Sequence, residues 1–218
     1  MTRMTKLCTY VVTSDTGLAP NPYWGWCTLA VCTPNRQSAR LKEDDWIAGF
    51  SGSADGNRLI YAMKVAKRID MNSYFHDPRF AAKRPNLRGS WQERCGDNFY
   101  SKNPDGTWRQ HKNRFHMGAD YLAKDTRRPH IFAAQRFWYF GSAKILVPEK
   151  FHALVGKRGI RVNHDPSSVQ AFLVWLASMQ PPGIRALPTN NPDIDTDRTA
   201  PSCATARRPI GSDQRSRC

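Results

Sequence analysis

The segment Leu59–Val65 (LIYAMKV) is apolar at both parities of an extended chain: Leu59, Tyr61, Met63 and Val65 fall on one side, Ile60, Ala62 and Lys64 on the other. Side chains alternate across a strand, so a segment of this kind is at home only where both faces of its sheet are covered. This requirement for a layered fold constrains the chain more than any other feature. Further strand candidates are Leu7–Thr13, Cys27–Cys32, Trp46–Phe50, the extension of LIYAMKV to Ala66, and the pair Ile131–Ala134 and Phe137–Phe140.

Helix signals are local and sharp. Asp70 is placed to cap Met71–His76, and Asp77 with Pro78 is an N-cap followed by the residue type favoured at the first helical position, opening PRFAAK. Asp165 and Pro166 repeat that signature before SSVQAFLVWLASM, where Val169, Phe172, Leu173 and Leu176 recur at helical spacing and Pro181-Pro182-Gly183 ends the run. The expected architecture is α+β: a curved or closed sheet, short flanking helices and a C-terminal amphipathic helix, in one globular domain over residues 1–180. Residues 181–218 contain no Phe, Trp or Tyr and are dense in Pro, Asp, Thr, Ser and Arg. They read as a Pro/Arg-rich tail, largely disordered, although Ile184 and Leu187 give its first residues something to pack.

The 33 Lys+Arg and 18 Asp+Glu leave a net +15, and this charge is unevenly placed. Residues 1–57 balance at five of each sign, whereas residues 58–161 carry 22 basic and 8 acidic side chains. The basic stretch interleaves Arg79, Lys83, Arg84, Arg88, Arg94, Arg109, Lys112, Arg114, Lys124, Arg127 and Arg128 with Trp91, Tyr100, Trp108 and Phe115. Cations alternating with aromatic rings suit phosphate contacts plus base stacking. No apolar run approaches the roughly 18 residues a bilayer needs, and the start MTRMTKLCTYVV lacks a signal-peptide pattern. The expectation is a soluble, cytoplasmic protein without a membrane partner. The six cysteines include no C-x-x-C pair, and Cys27 and Cys32 would point to opposite faces of a strand, so they read as reduced, mostly buried thiols.

The candidate chemistry centres on Ser14–Trp26 (SDTGLAPNPYWGW), a stiff loop presenting Asp15, Asn21, Tyr23, Trp24 and Trp26. Rings on a rigid loop can form a slot for a flat ligand, with Asn21 or Asp15 reading its hydrogen-bonding edge; the alternative is that the rings plug one end of a barrel while Asp15 makes an Asx-turn. Trp46 and Ser51 are assigned to the same base pocket, and Arg79, Lys83, Arg84, Arg88 and Arg94 to phosphate. The Gly/Ser-rich stretch Gly49–Asn57 matches no phosphate-loop or dinucleotide pattern and reads as a connection. His111, His116 and Asp120 lack zinc-site spacing, so neither a metal nor a cofactor is assigned.

Several of these stretches resemble the nucleotide modification associated domain 2 family: Tyr10–Ala30, Asp45–Ser53, Arg58–Val65, Tyr74–Pro85, Gly96–Tyr100, and Phe137–Gly141 with Pro148. The most specific pieces are D-x-G-x-A-P-N-P from Asp15 and D-P-R-F-x-x-K-R-P from Asp77. The chain departs from the pattern at Asp44-Asp45 and in the histidine-containing stretch after Trp108, and the tail after about Asn190 has no counterpart. The resemblance implies an association with bacterial and phage systems that handle modified DNA bases. A weaker resemblance, to PUA-like pseudo-barrels, rests on Asp45–Gly49 followed by Leu59–Val65 and is one of fold alone. The leading expectation is therefore a protein that binds nucleic acid, DNA ahead of RNA, or a free nucleotide, and recognises a modified base. The alternatives are an enzyme of nucleotide or base modification, with Asp15 as base assisted by Asp97 or His116, and an interaction module docking an acidic protein.

Overall fold

The computed structural model describes residues 3–31, 40–156 and 159–194. Six strands, β1 (Leu7–Val11), β3 (Trp46–Phe50), β4 (Leu59–Lys64), β9 (Phe137–Tyr139), β10 (Ile160–Arg161) and β11 (Gly183–Ile184), form the larger sheet in the order β10-β1-β3-β4-β9-β11. A second sheet orders β2 (Cys27–Leu29), β8 (His130–Ala134) and β5 (Lys67–Asp70), and β6 (Tyr100–Lys102) pairs with β7 (Trp108–Gln110) as a hairpin. The fold is α+β. Among the described residues the larger sheet ends at β10 and β11 without closing, which gives open layers instead of a closed barrel.

The layering satisfies the demand made by Leu59–Val65. One apolar cluster unites Cys8, Tyr10, Ile47, Tyr61, Met63 and Tyr139 of the larger sheet with Cys27, Leu29, Phe132 and Ala134 of the smaller. The other face of the larger sheet, with Trp46, Ala48, Phe50 and Trp138, packs on Phe151 and Leu154 of the 3-10 turn Glu149–Leu154 and on Phe172 and Leu176 of the C-terminal helix Pro166–Ala177. Residues of the smaller sheet facing away from this sandwich, Ile131 and Ala133, are covered by Met71, Tyr74, Phe80, Phe99 and Tyr100. These come from α1 (Met71–His76), the 3-10 helix Pro78–Lys83 and β6 with the chain leading into it.

All three helix starts follow their local signals: Asp70 accepts from Asn72 and Ser73 amides, Asp77 from Arg79 and Asp165 from Ser168. A fourth start, Ser90 before α2 (Trp91–Arg94), is a complete capping box with Glu93. Helix α3 is Ala119–Thr126, and the C-terminal helix is α4.

The alternation in β4 is broken. Leu59 pairs with Phe50 and Tyr61 with Gly49, which leaves Ile60 as an extra residue in a bulge. Leu59 consequently joins the face covered by α4, while Ile60 lies with Tyr61, Met63 and Val65 against the smaller sheet. Gly49 permits this: a Cβ there would stand 2.4 Å from Tyr61 Cε1 and 2.6 Å from Val12 Cγ2. The strand Cys27–Cys32 is shorter than its sequence reads, and Cys32 lies outside the described residues.

The chain continues into the fold past Pro181. Strand β11 adds beside β9 in parallel, Ser142 donates its amide to the Leu187 carbonyl, and Asn191, Asp193 and Ile194 are buried. Residues 195–218, on which most of the tail reading falls, lie outside the described residues. Among the described residues no helix is long and apolar enough to cross a membrane.

Candidate nucleic-acid interface

The loop that carries the candidate base pocket is itself a small hairpin. Asn21 and Thr28 exchange backbone hydrogen bonds of 2.9 Å, and the chain between them reverses at Trp24 (φ 56°) and Gly25 (φ 78°). Positive φ at both central residues is the type I′ requirement, which glycine meets freely and a bulky side chain only under strain.

Lys83 enters this hairpin from inside the protein. Its Nζ donates to the Asn21 carbonyl at 3.0 Å, to Asn21 Oδ1 at 2.7 Å and to the Trp26 carbonyl at 2.9 Å, and lies 5.6 Å from the centre of the Trp24 ring. The residue is 1% exposed. Its assignment to phosphate is therefore corrected, because an ammonium committed to three protein oxygens and closed to water meets no ligand. Burial pushes it down to about 8, against the pull of the nearby Asp97 carboxylate. Asp97 accepts from Thr28 Oγ1 and Tyr74 Oη, each at 2.7 Å, and burial raises its pKa. Asn21 is equally committed, since its Nδ2 donates to the Cys95 carbonyl at 3.0 Å, so it is a structural pillar and reads no base edge.

Asp15 is buried as well. Tyr139 Oη donates to its Oδ1 at 2.7 Å and the Thr189 amide to its Oδ2 at 3.2 Å; burial raises its pKa, and these bonds oppose the shift. Tyr23 is 5% exposed, and its hydroxyl has no hydrogen-bond partner among the described residues. The three catalytic candidates, Asp15, Asp97 and His116, share no hydrogen-bond partner among the described residues.

Two other pocket assignments are also corrected. Trp46 is 6% exposed and stacks on Trp138 at 6.0 Å, on the face of the larger sheet opposite Tyr139 and Asp15. Ser51 Oγ accepts from the Arg58 amide and donates to the Asp55 carbonyl, closing its own loop. What the loop does offer outward is Trp24 and Trp26, both half-buried. Tyr23 lies edge-on between Trp24 and the half-buried Trp91, at ring distances of 5.7 and 5.5 Å.

The cations around this loop divide into two sets. Arg79, Arg84 and Arg88 are exposed, with Arg79 paired to Asp77. Arg94 is drawn inward, its Nε 3.0 Å from Asp193 Oδ2, and Arg114 reaches the other oxygen of that carboxylate at 2.7 Å. Next to buried Lys83, the Arg84 guanidinium lies 4.5 Å from the centre of the Phe75 ring and donates to the Phe75 carbonyl. The same ring carries His111, stacked at 4.4 Å and 14°. His111 Nε2 meets Ser101 Oγ at 2.8 Å, and its pKa is lowered by burial and then by the charges of Arg109, Arg84 and His76. Sequence spacing grouped His111 and His116 with Asp120. The fold instead holds His116 Nδ1 2.6 Å from Asp125, a buried carboxylate that also accepts from Tyr100 Oη. The gathering of Arg84 and His111 on Phe75 has no local signal, because the β6–β7 hairpin brings His111 to a ring 36 positions earlier in the chain.

These features define a layered α+β domain with a basic, ring-bearing surface built on α1, the 3-10 helix and the β6–β7 hairpin. Comparison with known families places it further. The family model of nucleotide modification associated domain 2 matches residues 4–192, and the chain belongs to that family. No curated protein and no solved structure matches it. Its association is thus with nucleotide modification.

Proposed function

We propose that this domain binds nucleic acid, DNA ahead of RNA, and recognises a modified base within it. The observation that carries this reading is the group around Phe75. Arg84 and His111 both lie on its ring, and the positive charges of Arg109 and Arg84 oppose protonation of His111. Like charges gathered in this way repel one another, and a phosphate relieves the repulsion while adding charge-assisted hydrogen bonds. An anion there would also favour the protonated form of His111, the reverse of its present shift.

Base contacts fall to Trp24 and Trp91. A tryptophan held at positive φ costs of order 1 kcal/mol that a glycine would not, and strain of this kind concentrates at functional positions. Stacking of one base on one ring contributes about 1–3 kcal/mol. The test is fluorescence anisotropy with matched single-stranded oligonucleotides that differ by one C5-substituted pyrimidine or one N6-methyladenine. Trp24→Ala and Trp91→Ala should reduce the preference for the modified member of the pair. Equal affinity for both members in the wild-type protein would remove base recognition from the proposal.

A further inference from the structure

The segment Pro188–Asp193 lies across the start of the aromatic loop and makes a particular set of contacts. The Thr189 amide donates to Asp15 Oδ2 at 3.2 Å, the Asn190 amide to the Asp15 carbonyl at 2.8 Å and Asn191 Nδ2 to the Thr16 carbonyl at 2.7 Å. In return the Asp15 amide donates to Asn190 Oδ1 at 3.1 Å. Beyond this edge, Asp193 sets its carboxylate between Arg94 (3.0 Å) and Arg114 (2.7 Å). Arg94 is held for the purpose by a second bond, from Nη1 to the Gly89 carbonyl at 2.7 Å.

The chain therefore presents N–H donors beside one acceptor at one end and an anion between two guanidiniums at the other. A nucleoside monophosphate carries the same two ends, a base edge with imino or amino donors beside a carbonyl, and a phosphate. Beneath the segment lie Asp15, Gly17, Tyr23 and Cys95. Gly17 leaves little room for a side chain, since a Cβ there would meet Pro188 Cγ at 2.9 Å and Tyr23 Oη at 3.1 Å. The segment donates to the carbonyls of Asp15 and Thr16 and to the Asp15 carboxylate but leaves the buried Tyr23 hydroxyl without a partner among the described residues. A polar group 5% exposed and unpaired is costly, and it points to a ligand the segment does not fully replace.

We propose that residues 188–193 are an internal stand-in occupying a nucleoside monophosphate site. Asp193 holds the phosphate position between Arg94 and Arg114, and the 189–191 amides hold the base-edge position against Asp15 and Thr16. Release of the segment uncovers Cys95, whose Sγ now lies 2.8 Å from Asn191 Nδ2, and a monophosphate bound in its place covers the thiol again. The site is separate from the Phe75 group and does not depend on oligonucleotide binding there.

The test uses the full chain with dGMP as probe and inorganic phosphate as comparison. Asp193→Ala removes the internal anion and should bind dGMP at least ~10-fold more tightly than the wild type by calorimetry, because the competent state no longer has to be won from the segment. Alkylation of Cys95 by N-ethylmaleimide, mapped by peptide mass, should be slow in the wild type, faster in the variant and slowed again by dGMP. Adding Arg94→Ala and Arg114→Ala should abolish the dGMP response. Asp193→Asn, which keeps the shape of the side chain, should move every readout in the same direction. In the unaltered protein, saturating dGMP should speed hydrogen exchange at the Thr189 and Asn190 amides. Unchanged exchange there, or an Asp193→Ala protein that folds by circular dichroism yet binds no dGMP at millimolar concentration, overturns the proposal. An equal response to inorganic phosphate overturns the base-edge assignment. Oligonucleotide affinity, measured in parallel, shows whether the Phe75 surface fails with it or stands alone.

Discussion

Lys83 holds Asn21 twice, through the backbone carbonyl at 3.0 Å and Oδ1 at 2.7 Å, across 62 residues of chain. This joins the two most specific motifs of the sequence: the loop motif ends in Asn21-Pro22, and the D-P-R-F-x-x-K-R-P motif supplies Lys83. Lys83→Met keeps the volume and removes the charge, taking the donor from Asn21 Oδ1 and the Trp26 carbonyl and leaving the buried Asp97 without its nearby cation. Removing one partner of a buried charged group costs roughly 3–5 kcal/mol. Urea unfolding should show a loss of this size, with the hairpin tryptophans reporting the transition; a loss below about 1 kcal/mol, typical of a net neutral hydrogen bond, would mean that Lys83 does not organise the loop.

Gly49 sits where Tyr61 crosses the sheet opposite the β4 bulge. Gly49→Ala places a methyl group 2.4 Å from Tyr61 Cε1, and overpacking of this kind costs about 1–3 kcal/mol. The midpoint of chemical denaturation should fall accordingly. An unchanged midpoint would show that the Tyr61 ring yields freely.

His130 governs part of the acid response. Burial, with Arg68 and Arg128 close by, pushes its imidazole down to about 4. The unfolded chain takes up this proton near 6.5 and the folded chain only near 4, so within that window the unfolded state binds more protons. Stability therefore falls as pH drops from 6.5 toward 4 and is fully present above 6.5. His130→Gln should flatten the plot of Tm against pH across this window. His111 and His164, which burial also lowers, add slope of the same sign. Parallel profiles for variant and wild type would contradict the assignment.

Buried thiols should be slow to react. Burial pushes Cys27 and Cys95 up to about 12, and Cys8 is buried as well. At about pH 8 the native chain should leave all three unmodified by an alkylating reagent for far longer than the urea-unfolded chain, since the thiolate is the reactive form. Equal rates in the two states, resolved by peptide mass, would argue against their burial.

What the sequence made legible was whatever acts over a few residues. The caps Asp70, Asp77 and Asp165 satisfy amides two or three positions away, so their pattern is local and sufficient. The layered fold was legible too, because β4 has apolar residues at both parities. The bulge at Ile60 was not, since it depends on the pairing of β4 with Gly49 and Phe50. Lys83 read as one more surface cation because its partners lie far along the chain. Trp46 read as a neighbour of the loop because spacing does not say which face of a sheet a residue takes. The segment 187–193 has no aromatic ring to announce packing and is held by backbone amides, Asn191 and Asp193, which composition treats as signs of disorder.

The claim that the Phe75 surface receives phosphate is tested most directly by the salt dependence of binding to a single-stranded DNA. For each phosphate that the protein no longer neutralises, the slope of log affinity against log salt should shrink by about 0.7. Arg84→Ala combined with Arg109→Ala should therefore weaken binding at low salt and flatten the slope by roughly one to one and a half units, with the fold intact by circular dichroism. A double variant whose affinity and slope both match the wild type would contradict the account.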